Sequence, residues 1–354
     1  MPARAKDGTC LADLVQMAIP ICRAAQLQCA RTGPGRRPTF SDWQIAVLIL
    51  IAVLNRRKSK SAQYRFLDER RIIIQSWLHM DEFPARSTYF DRYRGAHRLM
   101  EKAVAVQGQR ALADGIADAT SVAADKSMIA SRGPVHHRWR GRACRHCRGV
   151  DLQAGWGYGE HDGWVYGYAF ETVVTATAGS LVFPLLASAG PANQSEHTSF
   201  VAKIPLLPST TLYVLNDRGY DSNAHQEAVE YDQEGHRIGR RFVCPLIARA
   251  GKPKAGLFPH KGRRGLECKR RHERLRFMES SQGRRLYKRR AKTVEPFHQW
   301  FKNCFELEDR VWHRGLQNNQ TQVLASMVAY QLLVRYNHRH RRNNGQIRWI
   351  LDRI

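Results

Sequence analysis

The spacing of apolar positions changes character near residue 115 of this chain. Before it the period is helical. Leu11 to Leu27 predicts one helix, bent or interrupted at Pro20, ahead of a GPGRRP break. Ser41 then caps a helix from Asp42 to Asn55 that is apolar almost all round (WQIAVLILIAVL), the pattern of a buried helix. Ser59 to Asp68, Arg71 to Met80 and Ser87 to Gln107 predict three more, with FPARST supplying a Pro and a Ser cap before the last. From Gly115 short β-like runs take over: Ile116 to Ala123 alternates, and Trp164 to Ala178 is rich in β-branched and aromatic residues, with Ser180 to Ala187 extending it. Thr211 to Leu215 and Arg241 to Leu246 read as buried strands either side of a helix from Asn223 to Tyr231. Strands alternating with helices imply an α/β core with at least one crossover. Residues 247 to 285 break the pattern with a dense basic run (KGRRGLECKRRHERLR), expected as a solvated loop or arm. A helix from Gln320 to Tyr336 and a basic tail (NHRHRRNNGQIRW) follow, and there is no internal repeat.

One stretch organises the C-terminal half. In YKRRAKTVEPFHQWFK, Tyr287 to Lys302, a single carboxylate, Glu295, stands among five basic residues. Behind it Val294, Phe297, Phe301 and Phe305 form a stripe at helical spacing. Thr293 suits the N-cap, and Pro296 falls in the first turn, where its missing N–H costs no bond. Lys302 then lies two turns after Glu295, roughly 10 Å along the axis, and the two side chains point the same way. Such a pair suits a metal ion and a phosphate, or an ordinary solvated helix face.

Charge separates these readings. Lys and Arg number 57 against 31 Asp and Glu, a formal net of +26. Such self-repulsion persists where a polyanion neutralises it, and nucleic acid is the expected one. No amphipathic basic helix or lipidation signal favours a membrane surface, and the longest apolar run, Ile45 to Leu54, is ten residues. The N-terminus lacks a signal-peptide pattern, and eight scattered cysteines suit a reducing cytosol, so a soluble cytoplasmic protein is expected. Cys144 and Cys147 form a CxxC beside His136, His137 and His146, but no second half-site completes it and zinc is not expected.

Cutting a phosphodiester requires charge neutralisation at the attacking and leaving oxygens, which two divalent ions held by a few carboxylates supply. Mg²⁺ takes oxygen ligands and keeps waters, so three carboxylates on rigid elements suffice. Asp118 in IADATSV on the first strand, Asp217 ending TLYVLND, and Glu295 are the candidates. Asp114 competes with Asp118 for the first place, while Asp125 and Asp221 are either groups supporting the metal ligands or, more in keeping with their settings, a surface charge and a turn residue. A lone Asp at a strand end is more often a turn or cap residue, but three together in so basic a chain favour the metal reading. The GWGYG run at 155 to 159 is no phosphate cradle, since no helix start or Lys-Ser/Thr follows. His298 and Gln299 are expected to face the site, and Trp300 the core.

This combination resembles the DDE transposases of bacterial insertion sequences, in the branch with a Tyr-Arg-Glu-Lys signature. Asp118 in DATSV, Asp217 in NDRGYDS and Glu295 in RRAKTVEPFHQWFK match its acids, and Tyr287, Arg290 and Lys302 their companions. HRGLQNNQTQVLASMVAYQL and the helical part from PTFSDWQIAVLILIAVL to FPARSTYFDRYR are also similar, so the likeness spans roughly residues 38 to 336. It implies an α/β, RNase H-like mixed five-stranded sheet flanked by helices, with an N-terminal helical domain. The expected layout is an extension over 1–37, a DNA-binding helical part over 38–108, a catalytic domain over 109–340 with the basic insertion at 247–285, and a tail. It implies Mg²⁺, with Mn²⁺ as substitute, on Asp118, Asp217 and Glu295. It also implies cleavage at terminal inverted repeats and joining of the freed 3′-hydroxyl to target DNA, by a homodimer on paired ends. Arg290 and Lys302 would hold phosphates, Tyr287 would touch the backbone or support Arg290, and Arg218, Arg86 and Arg92 would contact DNA. Two departures stand out. Four residues separate Arg290 from Glu295 where three are commoner, and Ala169 and Glu171 replace a basic residue and a His on the Trp164 strand. An RNase H-like nuclease without strand transfer, or an inactive DNA-binding remnant, are the alternatives.

Overall fold

The computed structural model describes residues 8–29, 38–135, 149–160, 162–247, 262–343 and 345–354. Helix α1 spans Gly8–Leu27 and α2 Asp42–Leu54. Ten consecutive residues of α2, Ile45 to Leu54, are buried, as its unbroken apolar run requires. Its start is fixed by a capping box in which the Ser41 N–H donates to Gln44 Oε1 at 2.9 Å. The expected interruption of α1 does not occur. Pro20 lies on its exposed side, while Leu14, Ile21, Cys22 and Ala25 are fully buried and keep the helix continuous. By length and hydropathy Cys10–Leu27 would pass for a membrane span, but here it packs on α2 and on α6. Helices α3 (Lys60–Asp68), α4 (Arg71–Leu78), α5 (Arg86–Gly95) and α6 (His97–Ala113) complete this part. The last two divide at Ala96, just after the poor helix former Gly95, where one continuous helix was expected.

The sheet comprises β1 (Ser121–Ala130), β2 (Gly155–Gly159), β3 (Gly163–Thr175), β4 (Pro184–Pro191), β5 (Tyr213–Asn216) and β6 (Arg241–Val243), with α7 (Glu196–Val201) and α8 (Asn223–Glu230) in the crossovers. Antiparallel pairings join β3 to β1, β2 and β4, whereas β1, β5 and β6 run parallel. The order is β2-β3-β1-β5-β6, with β4 also on β3. This mixed sheet with flanking helices and a helical N-terminal region is the architecture expected. The first strand starts later than the alternation at Ile116 indicated: β1 opens at Ser121 and runs on through Asp125 to Ala130.

Four helices follow: α9 (Gly262–Glu279), α10 (Ser281–Ala291), α11 (Val294–Cys304) and α12 (Leu316–Arg339), then the short α13 (Arg348–Leu351). The stripe of α11 packs on β3, with Phe301 edge-on to Phe170 at 5.3 Å between centroids. Among the described residues the basic segment is a helix, α9, where a loop was expected. Its Arg274 is fully buried and paired with Asp221, whose other oxygen takes Arg271 at 3.2 Å and the Ile247 N–H at 2.7 Å. Asp221 is thus a buried ion-pair hub, not a simple turn residue. Local periodicity could not reveal this, because the partners are about fifty residues apart.

Asp221→Ala leaves Arg274 as an uncompensated buried charge and is expected to cost about 3–5 kcal/mol. Urea unfolding and protease cutting near α9 check it, and an unchanged midpoint would refute the hub.

Candidate active site

Parallel pairing of β1 with β5 sets the geometry. The register runs Val122 to Val214, Ala123 to Leu215 and Ala124 to Asn216. The residue after each of these last partners is an aspartate, Asp125 still on β1 and Asp217 just past the end of β5, so the two follow equivalent positions of Val-Ala-Ala-Asp and Val-Leu-Asn-Asp. Glu295 joins them from the first turn of α11. Arg290, the last buried residue of α10, spans two of the three: Nη1 lies 3.3 Å from Asp125 Oδ2 and Nη2 lies 2.8 Å from Glu295 Oε1. The three acids, Arg290, Glu196 and Lys302 line one open cleft of about 750 Å³.

Burial pushes the Asp125 carboxyl up to about 7, with the Asp217 charge adding and Arg290 opposing. Asp217 is raised as well, first by burial and then by Glu196. Its Oδ1 is buried and has no hydrogen-bond partner among the described residues. Carboxylates left under such strain are the usual mark of a site that works on a charged ligand. An all-oxygen donor set with an unpartnered buried oxygen fits a hard divalent cation. As the side chains stand, no three His, Cys, Asp or Glu among the described residues are drawn into a finished cage. The guanidinium of Arg290 lies between two of the donors and neutralises them instead. Behind the acids His298 is held neutral: burial lowers it to about 3, and its Nε2 meets Thr172 Oγ1 at 2.8 Å, tying α11 to β3. Burial also lowers Lys302, while Asp162 and Glu308 pull it back up.

Asp118, expected as the first acid, does not reach this cleft. It is exposed, precedes β1, and its Oδ1 accepts from Thr120 N at 2.7 Å and Thr120 Oγ1 at 2.6 Å, bonds that lower its carboxyl. It is a turn residue, about seven strand positions and therefore roughly 23 Å of extended chain from Asp125. Its rival Asp114 pairs with Arg335 at 2.6 Å and is equally remote in role. In sequence Asp125 reads as a surface charge because the alternation from Ile116 ends at Ala123, whereas β1 runs on through Asp125. The signal lay in the matching apolar-run-then-Asp pattern of the two strands.

Asp217, Glu295, Arg290 and Lys302 do meet, and Arg290 sits on α10, ahead of the Glu295 helix. Tyr287 is half-buried with its ring 6.0 Å from the Arg290 guanidinium, a supporting position. Arg218 is exposed on the turn directly after Asp217. Of the helical arginines, Arg86 is exposed and bonds Ser61 Oγ at 3.0 Å, whereas Arg92 is engaged by Asp42 at 2.5 Å and the Phe40 carbonyl at 3.1 Å. Glu171 is buried against Lys203 Nζ at 2.5 Å and the Tyr220 hydroxyl at 2.7 Å. The Cys144–Cys147 motif lies outside the described residues.

A family model described as a transposase DDE domain matches residues 112–332. No curated protein matches the chain. Among solved structures, a piggyBac transposase synaptic complex with hairpin DNA is similar at 11% identity and a TM-score of 0.41, covering 99% of this chain and 80% of that one.

The raised Asp125 carboxyl makes the metal-free protein pH-sensitive. Because the fold holds this proton up to about pH 7 while the unfolded chain releases it near 4, its contribution is full below pH 4 and is lost as pH rises to 7. In chelator, Asp125→Asn is expected to remove that component of the fall in Tm between pH 4 and 7. Parallel Tm profiles for the two proteins would contradict the assignment.

Proposed function

The chain belongs to the transposase DDE domain family, DNA-cleaving and strand-transferring enzymes, and from that premise we propose that it cuts and rejoins DNA at the ends of an insertion sequence, with Asp125, Asp217 and Glu295 as its acids. The observation that carries this assignment is that Asp125 and Asp217 directly follow the paired residues Ala124 and Asn216, with Arg290 joining Asp125 to Glu295. These three would hold Mg²⁺, with Mn²⁺ as a substitute. A divalent ion there supplies Lewis-acid neutralisation of the charge that builds on the phosphodiester oxygens. No side chain in the cleft needs to act as nucleophile: water opens the strand, and the freed 3′-hydroxyl of the DNA then attacks the target. Arg290 would pass from the carboxylates to a phosphate oxygen once those carboxylates are otherwise neutralised, with Tyr287 steadying it. Lys302, half-buried on α11 with Glu295, would orient the phosphate on the far side of that acid.

The partner is double-stranded DNA, comprising terminal inverted repeats and a target, bound by two copies on paired ends. Support comes from the charge distribution on α10. Its inner face buries Gly283, Leu286 and Arg290, while Arg284, Arg285, Lys288 and then Lys292 are exposed. Among the described residues none of these four meets a carboxylate, so they leave an uncompensated basic row on the outside of the helix whose Arg290 lines the cleft. The helical part, residues 38–108, adds Arg86 and Arg94 at the surface and serves as a second DNA contact.

A cleavage and strand-transfer assay on the DNA flanking the gene tests the reading. Asp125→Asn, Asp217→Asn and Glu295→Gln should each reduce cleavage about a thousandfold, equivalent to about 4 kcal/mol, with DNA affinity kept. Asp118→Asn should cut normally. The reverse pattern would return the first acid to Asp118, and nicking without joining would indicate a nuclease. On α10, replacing Arg284, Lys288 and Lys292 by Gln should lower the slope of log affinity against log salt by about 2–3. An unchanged slope places the DNA elsewhere.

A further inference from the structure

Three cations from distant parts of the chain meet at a second pocket, of about 420 Å³. Lys60 is the first residue of α3, Arg132 follows β1, and Arg314 precedes α12. Trp312, His313 and Asn318 complete the lining, so no acid takes part. None of these residues lines the cleft of Asp125, Asp217 and Glu295. Among the described residues none of the three cations forms an ion pair. The acid that bears on Lys60, Asp91, stands 3.9 Å from Arg94 instead.

Each cation is nonetheless held in place. Lys60 Nζ lies 5.2 Å from the Phe90 ring centre and 5.8 Å from that of Tyr93, and donates to Asn318 Oδ1 at 3.3 Å. Arg132 Nη1 donates to the Trp312 carbonyl at 2.8 Å. Arg314 lies against two glycines in the left-handed region, Gly133 at φ 110° and Gly149 at φ 83°. A Cβ on the first would stand 3.0 Å from its Nη2 and one on the second 3.2 Å, so a side chain at either place would crowd the guanidinium. Beneath them His313 is buried and its Nε2 meets the Tyr93 hydroxyl at 3.0 Å. Burial, then Lys60 and Arg132, lower that ring to about 3, so it stays neutral. Cations gathered in this way repel one another until an anion joins them.

We infer that this pocket binds one phosphate group, with Lys60, Arg132 and Arg314 as its donors, where α3 meets the ends of β1 and α12. Guanidinium forks and an ammonium point charge together suit a group that offers several anionic oxygens. Within DNA that group is a backbone phosphate, and this source rests on the proposed function. Free phosphate presents the same oxygens and is the other source. Because the pocket shares no residue with the cleft, the DNA phosphate it takes is a different one from that being cut. Its donors come from three segments, so the bound phosphate ties the helical part to the elements that follow the sheet.

Two measurements on the full chain test this. In the first, phosphates of a duplex from the flanking DNA are replaced one at a time by uncharged methylphosphonates. At one linkage the replacement should weaken binding about tenfold or more, and Arg132→Gln with Arg314→Gln should abolish that penalty. The same pair should lower the slope of log affinity against log salt by about 1, whereas Arg132→Lys with Arg314→Lys should keep it. In the second, Tm is followed in rising inorganic phosphate against chloride at matched ionic strength, and chloride alone reports whether the Gln pair folds. A sensitive linkage supports the DNA source. A rise in Tm with phosphate that the Gln pair lacks, with no sensitive linkage, supports the free one. If no linkage distinguishes the two proteins and phosphate shifts both Tm values equally, the inference is overturned while cleavage in the cleft stands untouched. Failure of the unaltered protein to bind the duplex, with the phosphate shift present, overturns the DNA reading and leaves the pocket.

Discussion

Two aspartates forced together by strand register are the constraint around which this protein is built. Burial penalises both charges, and a nearby acid adds to it (Asp217 for Asp125, Glu196 for Asp217), so both bind protons more tightly than ordinary side chains do. A fold that only needed stability would place something apolar there. The arrangement survives because Arg290 supplies a compensating charge from α10, held by Asp125 on one side and Glu295 on the other. That guanidinium thus meets the anionic oxygens of two carboxylates from two different elements at once.

Much of the remaining structure holds those elements in place. The aromatic stripe of α11 and the Thr172–His298 bond set the depth of Glu295 against the sheet. Asp221, four residues beyond Asp217, clamps the loop after β5 to α9 through Arg274 and Arg271. On the sheet's other face the buried Glu171–Lys203 pair, with the Tyr220 hydroxyl, ties β3 to the segment before β5 and to the turn after Asp217. Buried ion pairs of this kind contribute little net stability but are costly to break singly, which suits them to fixing relative positions.

The excess of positive charge is divided between two uses. Some arginines are spent internally: Arg274 on Asp221, Arg92 on Asp42 and Arg335 on Asp114. Others, on the outer face of α10, meet no acid among the described residues and remain available to a polyanion. Net charge alone does not distinguish these groups. The basic run of α9 looks in sequence like a solvated arm, yet part of it is interior.

What the chain determined by itself was whatever depends on local period and composition. The helical part, the strand runs, the buried α2 and the Glu295 helix with its apolar stripe were all legible, and Asp217, Arg290, Glu295 and Lys302, which stand out in the sequence, line one cleft. The tertiary structure decided which aspartate stands beside Asp217. Asp118 and Asp125 share one stretch and differ only in how far along β1 they stand, and that position has meaning only against Asp217 on another strand some ninety residues away. The same holds for α9, whose buried arginine is stable only because Asp221 is there to receive it. Periodicity reports which face of an element is dry, whereas pairing register and long-range charge partners are properties of two elements at once.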